Sequence, residues 1–368
     1  MLSLDRGLLG NGMGDVVERH REYAGFCARL SIVVITPPGY QHALLSPNLD
    51  VYPTNGTSVY AHARAIFGFF KSIQSHARVH CIIAQDLLAP FAYALSLWYH
   101  VPFIVSVHGV WWDQWYARKH FWNRWYAHVL LYFFRNADAV RVVSEGLKHA
   151  LLLRKVRANK IHVIPTPVRI QRFERKDDPG GEAPLDPGEP LVISVGRLEA
   201  EKGFDVLLLA WKEVVQSLKN VRLIIVGDGS ARKKLNQMVL DFGLNEYVHF
   251  VGVIPSQELP HYYHRASVFA LASESESFGK VFVESAAAGL PSVATATLGA
   301  QSVIIDAATG YLVPVGDHKA MSEKLILLLN QPDHARAMGK EALLHVQESF
   351  GWEKNIKRMA YLWHRTSR

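Results

Sequence analysis

Two carboxylates eight residues apart, Glu276 and Glu284, stand in the segment ESFGKVFVESAAAG. Ser277 has the chemistry of a helix N-cap, and Gly289, two residues before Pro291, that of a C′ residue. A helix is therefore expected to begin near Phe278–Gly279. The first N–H groups of such a helix lack partners of their own and face an anion well. Gly279 would let a ligand approach the backbone closely. Glu276 lies just before that terminus, and Glu284 two turns on, rotated by about 80°. One carboxylate can thus meet a sugar while the other meets a hydroxylated group beyond the phosphates, because carboxylates accept hydrogen bonds from paired hydroxyls. A plainer arrangement fits the same spacing: Glu284 pairing with Lys280 on a solvated face.

A second group of charges follows an apolar run. Leu191–Val195 leads into Gly196-Arg197-Leu198-Glu199-Ala200-Glu201-Lys202-Gly203 and then into a helical pattern, Phe204–Leu218. Arg197 can hold phosphate oxygens bidentately and Lys202 adds a point charge. An ordinary strand–loop–helix with surface charges explains these residues equally well. Leu223–Gly229, LIIVGDG, is half of a dinucleotide fingerprint without its third glycine, and reads as fold punctuation. Gly10-Asn11-Gly12-Met13-Gly14-Asp15 precedes a helix and reads as a plain turn or as a loop over a phosphate. Metal and nucleophile signatures are weak. Asp177-Asp178 sits in a linker, and His261 and His264 read as a surface helix without further ligands. No Gly-x-Ser-x-Gly elbow occurs.

These groups need a scaffold, and the pattern of apolar runs supplies one. Strands are expected at Met1–Leu4, Ser31–Thr36, His80–Ala84, Phe103–Val107, Ala139–Val143 and His162–Ile164, with helical stretches such as Asp15–Leu30 and Tyr60–His76 between them. The alternation restarts at Leu191–Val195 and runs through Val221–Val226, Val248–Phe250, Val268–Ala270 and Ser292–Ala294. Such alternation specifies parallel sheets covered on both faces by helices. Between the halves, Glu174–Pro190 is rich in Pro, Gly and charge. The expected organisation is a first domain over 1–173, a linker over 174–190, a second domain over 191–350, and an amphipathic helix over 351–368 that returns to the first domain. A hydrophobic fraction of 49% excludes a disordered chain, and two cysteines, Cys27 and Cys81, exclude a disulfide framework. Both are read as reduced thiols of a cytoplasmic protein without a signal peptide.

Taken in order and spacing, three elements resemble the retaining glycosyltransferases of family 4, also called glycosyl transferases group 1. The GRLxxxKG element corresponds to Gly196–Gly203, the E-x7-E signature to Glu276–Glu284, and the TGxLV element to Thr309-Gly310-Tyr311-Leu312-Val313. The match is close over Leu191–Asn330 and looser before it. The resemblance implies an α/β, GT-B fold: two Rossmann-like doubly wound domains facing a central cleft. It implies sugar transfer with retention from a UDP-, GDP- or ADP-sugar to a glycan or lipid-linked acceptor, in polysaccharide or glycolipid biosynthesis, with no cofactor and no metal required. Residue by residue, Arg197 and Lys202 would neutralise the donor diphosphate. Glu276 and the Phe278–Gly279 backbone would hold the sugar and neighbouring phosphate, and Glu284 the ribose. Val253 and Ile254, in the stretch Gly252–Ile254, would hold the base. Gly12 and Gly14 match the glycine-rich loop near the diphosphate, and His108, beside Gly109, the catalytic-site histidine near the sugar's reacting face. One departure is Leu298-Gly299-Ala300-Gln301-Ser302, which keeps one glycine and lacks the family's Pro-Glu.

Val110–Arg135 holds five of the nine tryptophans together with Arg118, Lys119, Arg124 and Arg135. It suits internal packing, an aromatic wall for an acceptor, or docking on an anionic membrane, given a formal net charge of +7. Nucleic acid is the weakest of these partners. Leu87–Val107 has nearly the length of a bilayer span, but His100-Val101-Pro102 interrupts it, and a buried helix followed by a buried strand is expected instead. Peripheral attachment to the inner face of the membrane is the expected location. Two other functions use the same fold: another GT-B enzyme, such as a nucleotide-sugar epimerase or a phosphorylase, and a catalytically silent binding or scaffold protein. An acceptor requirement separates the first, and intact Arg197, Lys202, Glu276 and Glu284 argue against the second.

Overall fold

The computed structural model describes residues 1–10, 15–110, 121–174 and 190–367, with the backbone alone for 121–124. The chain forms two compact units, Met1–Pro167 with Glu353–Arg368, and Val168–Trp352.

The first unit carries β1 (Leu2–Ser3), β2 (Leu30–Val34), β3 (Ala43–Ser46), β4 (Leu49–Pro53), β5 (Ile82–Gln85), β6 (Phe103–Val107), β7 (Ala139–Val142) and β8 (Ile161–Val163). Their order in the sheet is β3-β4-β2-β1-β5-β6-β7-β8. Every pairing is parallel except that of β3 with β4. The helices are α1 (Val16–Ala24), α2 (Val59–His76), α3 (Ala89–Tyr99), α4 (Phe121–Asn136) and α5 (Glu145–Leu153). β6 is buried at every position, as a parallel strand covered on both faces must be.

The second unit carries β9 (Leu191–Val195), β10 (Arg222–Val226), β11 (Val248–Gly252), β12 (Val268–Leu271), β13 (Ser292–Thr295) and β14 (Gly310–Val313). All are parallel, in the order β11-β10-β9-β12-β13-β14. The helices are α6 (Phe204–Ser217), α7 (Arg232–Asp241), α8 (Leu259–Arg265), α9 (Lys280–Ala287), α10 (Ala300–Val303), α11 (His318–Asn330) and α12 (Pro332–Ser349). The last helix, α13 (Trp352–Thr366), packs on the first unit. Trp363 packs at a tilt against Tyr23 with centroids 5.1 Å apart, Arg358 donates to Val163 O at 2.5 Å, and His364 Nε2 lies 2.9 Å from Phe26 O.

Several expectations need correction. The chain passes into the second unit after Pro167, not after 173. Val168 bridges Gly351, and Phe173 packs edge-on against Tyr263, so 168–173 are anchored there. The hairpin β3–β4 was not expected; its strands are short, and Pro47-Asn48 between them reads as loop. α1 ends at Ala24, not Leu30, where Gly25 follows. α3 is only half buried: Ala89, Ala92 and Leu95 face inward, whereas Leu97 and Trp98 are exposed. It ends at His100, in the left-handed region at φ 53°. Among the described residues no helix is long and apolar enough to cross a membrane.

His20 is a buried titratable group in the first unit's core, 1% exposed, with Nδ1 2.8 Å from Val16 O. Burial, reinforced by Arg19, pushes its pKa down to about 3. The unfolded chain therefore binds a proton on this ring that the folded chain refuses, so stability rises with pH between about 3 and the ordinary histidine value. Acidification below about pH 6.5 should cost roughly 1 kcal/mol per pH unit for this side chain. Urea midpoints measured along a pH series check this, and His20→Gln should flatten the dependence.

Candidate functional site

The strand order of the second sheet reverses between β9 and β12, and ligands in doubly wound sheets bind in the crevice at the carboxyl ends of such strands. The loop after β9 contains Arg197 and Lys202, and the loop after β12 contains Glu276, Phe278 and Gly279. The structure brings the two together. Lys202 Nζ lies 2.6 Å from Glu276 Oε2, and each side chain is 16% exposed. Gly203, at φ 59°, allows this approach, since a Cβ there would lie 2.0 Å from Ala272 O. The backbone bond Glu274 N→Glu201 O, at 2.9 Å, ties the loops further.

The glycine turn after β10 supports the same loop from the other side. A Cβ on Gly227 would lie 1.9 Å from Gly196 O, and one on Gly229 2.5 Å from Leu198 O. Leu198 N donates to Asp228 O, and Ala231 N to Leu198 O. LIIVGDG is thus fold punctuation with a purpose: its glycines let one backbone rest on another. Arg197 stands outward, 72% exposed, with its guanidinium 2.7 Å from Glu201.

α9 begins differently from the expectation. Its N-cap residue is Gly279, left-handed at φ 71°, and no side chain caps it, so Ser277 does not fill that role. A Cβ on Gly279 would strike the Phe282 ring at 2.3 Å. Phe278 is 6% exposed and packs against Phe350, which leaves only its backbone for a ligand. Gly299, in the departing loop, donates its N–H to Glu276 O at 2.7 Å, and a Cβ there would lie 2.8 Å from Glu276 Cγ. The one retained glycine therefore buttresses Glu276.

Glu284 makes the expected pair with Lys280 but not on a solvated face. Lys280 Nζ lies 3.2 Å from Oε1, but the carboxylate is buried, not solvated. Tyr263, wholly buried on α8, points its hydroxyl at Oε2 at 3.5 Å. Burial, with Glu284 alongside, raises the Tyr263 pKa well above its ordinary value. The helix of His261 and His264 is consequently not a simple surface helix, and sequence reasoning missed Tyr263. Val253, exposed, and Ile254, half buried, follow Gly252 at the end of β11, where Gly252 O accepts Gly227 N at 2.8 Å.

In the first unit, His108 follows β6, half buried. Its N–H and that of Gly109 donate to Asp86 Oδ1, at 2.8 and 3.2 Å. Its Nε2 meets Arg141 Nη1 at 2.9 Å and Ser106 Oγ at 3.1 Å. Asp86, Ser106 and Arg141 were not anticipated as functional neighbours. The signal for Arg141 was present: a charge inside the apolar run Ala139–Val143. Gly12 and Gly14 lie outside the described residues, as do Trp111, Trp112 and Trp115 and the side chain of Trp122. In the rest of that stretch Ala127, Leu130, Leu131 and Phe134 face inward, whereas Trp125 and Tyr132 are exposed.

The family description "Glycosyl transferases group 1" matches residues 180–345, and "Glycosyltransferase Family 4" matches residues 21–172. The chain belongs to this family of glycosyltransferases. A D-inositol 3-phosphate glycosyltransferase of Segniliparus rotundus is 33% identical over 53% of this chain and 44% of its own. A GDP-mannose-dependent alpha-(1-6)-phosphatidylinositol monomannoside mannosyltransferase of Mycolicibacterium smegmatis is 30% identical over 62% of each. The chain spans about half the length of the curated relatives it matches. The sucrose-phosphate synthase of Thermosynechococcus elongatus superposes with a TM-score of 0.86 over 99% of this chain and 97% of that one, at 23% identity. The fold is GT-B, with two Rossmann-like α/β domains.

Two glycines separate backbone strain from close approach. Gly203→Ala meets both a left-handed φ and the Ala272 carbonyl, whereas Gly243→Ala meets φ 66° with open space around it. Gly243→Ala should cost about 1 kcal/mol and Gly203→Ala roughly 2 kcal/mol or more. Chemical denaturation of both variants checks the order; equal losses would show that the Gly203–Ala272 approach is not required.

Proposed function

We propose that the chain is a retaining hexosyltransferase that moves a sugar from a nucleotide-diphosphate donor to a lipid-linked or glycan acceptor. The observation that carries this is the Lys202–Glu276 pair beside the uncapped N-terminus of α9, at the switch point of the second sheet. In transfer the bond between the sugar's anomeric carbon and the diphosphate breaks, and an acceptor oxygen, losing its proton, takes the sugar. Charge develops on the departing diphosphate. In this reading Lys202, Arg197 and the N–H groups at the start of α9 stabilise it. Glu276 holds hydroxyls of the sugar, Glu284 those of the ribose, and Val253 and Ile254 border the base. The names of the relatives, which include GDP-mannose, D-inositol 3-phosphate and phosphatidylinositol monomannoside, support a nucleotide-sugar donor and an acceptor drawn from lipids or polyols.

Peripheral membrane attachment belongs to the same reading. Leu97 and Trp98 on α3 and Trp125 and Tyr132 on α4 are exposed on two helices in mutual contact, joined by Tyr93 and Tyr132 hydroxyls at 3.4 Å. These exposed side chains would supply apolar contact, and the chain's formal net charge of +7 an attraction to an anionic leaflet. Binding to vesicles should be stronger for anionic than neutral lipid and should weaken with salt without vanishing. Equal, negligible sedimentation with both vesicle types would reject the attachment.

The donor assignment is tested by calorimetry with UDP, GDP and ADP. Arg197→Ala or Lys202→Ala should weaken the nucleotide that binds by about 10- to 150-fold. Glu276→Ala releases Lys202, so the free nucleotide should bind at least as well while turnover collapses. Glu284→Ala should weaken the free nucleotide as well. Unchanged affinity in both cation variants would sink the diphosphate site.

A further inference from the structure

Arg141 is 2% exposed in the middle of β7, and among the described residues no carboxylate forms an ion pair with it. Its donors go elsewhere. Nε donates to Ile164 O at 2.7 Å, and Nη1 to Ser106 Oγ at 3.1 Å and to His108 Nε2 at 2.9 Å. Arg141 and Ser106 are register partners on neighbouring strands, and His108 lies two residues beyond Ser106. The guanidinium is thereby held across the carboxyl ends of β6, β7 and β8, with Nη1 set against the imidazole.

A guanidinium has donors only and does not give up its proton in proteins. An N–H group 2.9 Å from a ring nitrogen must find a lone pair there, so Nε2 is unprotonated. The neutral ring then carries its proton on Nδ1, which has no hydrogen-bond partner among the described residues. The surroundings oppose a second proton. Burial is the largest cause of a pKa held well below the ordinary histidine value, followed by Arg141 from β7 and by Arg19 and His20 from α1. The carboxylate nearby, Asp86 after β5, spends Oδ1 on the backbone N–H groups of His108 and Gly109.

We infer that Arg141 is a positioning residue that locks His108 in the neutral Nδ1–H tautomer, so that this histidine meets its ligand as a hydrogen-bond donor and never as an acid or a base. That the ligand is the transferred sugar rests on the function proposed above; the tautomer does not. Nδ1–H then offers its proton to a hydroxyl or ring oxygen of the sugar, which needs no proton exchange during transfer. Arg141 acts at one remove, by occupying the nitrogen that would otherwise compete for the proton.

The test is nitrogen NMR of histidine-labelled protein, with the His108 signals identified by their loss in His108→Gln. Nδ1 should resonate as a protonated nitrogen and Nε2 as an unprotonated one, without change from about pH 8 to about pH 5. A proton on Nε2, or a ring that titrates in that window, overturns the lock. Arg141→Met should let the proton distribute over both nitrogens and bring titration into the window. Because that variant loses a buried cation and can fail to fold, Arg141→Lys and Ser106→Ala are measured beside it; both should shift the His108 signals. For activity, the amide nitrogen of Asn reproduces the place of Nδ1 and that of Gln the place of Nε2. His108→Asn should exceed His108→Gln in kcat by about 5-fold, the weight of one hydrogen bond. The reverse order overturns the donor role. Should wild-type protein transfer no sugar from any donor, the functional reading fails while the NMR result still decides the tautomer.

Discussion

Close approach of backbones at the carboxyl ends of β9, β10 and β12 is what the second unit's site is built on. Gly203 rests on Ala272 O, Gly227 on Gly196 O and Gly229 on Leu198 O, each at a distance that no Cβ could share. These contacts bring the loop of Arg197 and Lys202 against the loop of Glu276. Because main chain meets main chain, the positions of the charged side chains follow from the sheet and not from one another. The ion pair of Lys202 and Glu276 is a consequence of that geometry.

The charged groups around Lys202 and those around Arg141 are satisfied in different ways. In the second unit the two candidate diphosphate-binding cations each have a carboxylate partner, Lys202 with Glu276 and Arg197 with Glu201. An incoming diphosphate exchanges one anionic partner for another, so its binding carries the cost of separating pairs and gains selectivity for a ligand charged enough to offset it. In the first unit, Arg141 is buried with neutral acceptors alone, and the histidine beside it is kept neutral.

Much of this was legible in the sequence because it rests on local rules. Apolar runs four or five residues long gave β6 and β9 to the residue, and the glycine and charge spacing singled out Lys202, Glu276 and Glu284. What escaped depends on partners distant in sequence. Ser277 looks like a cap until Gly279 takes the left-handed turn that removes it from the role. Tyr263 lies in a polar, histidine-flanked heptapeptide, and only the packing of α8 turns it toward Glu284. Arg141 sits in a strand pattern that tolerates one polar residue without asking what it touches. The passage between units at Pro167 was displaced because Glu174–Pro190 has the composition of a linker, whereas the anchoring of 168–173 is a matter of contacts.

The first unit is discontinuous along the chain, and α13 supplies part of its wall through Tyr23–Trp363 and the bonds of Arg358 and His364. During synthesis the second unit is complete in sequence once Trp352 has been made, while the first still lacks the helix that covers α1. The nascent chain therefore leaves an earlier-made unit without its last helix across nearly two hundred residues of later-made fold, with Tyr23 and Phe26 awaiting their partners. A stop codon or proteolytic cut just after the second unit would spare every residue of the proposed nucleotide site, yet it would strip the wall beside the oldest part of the polypeptide.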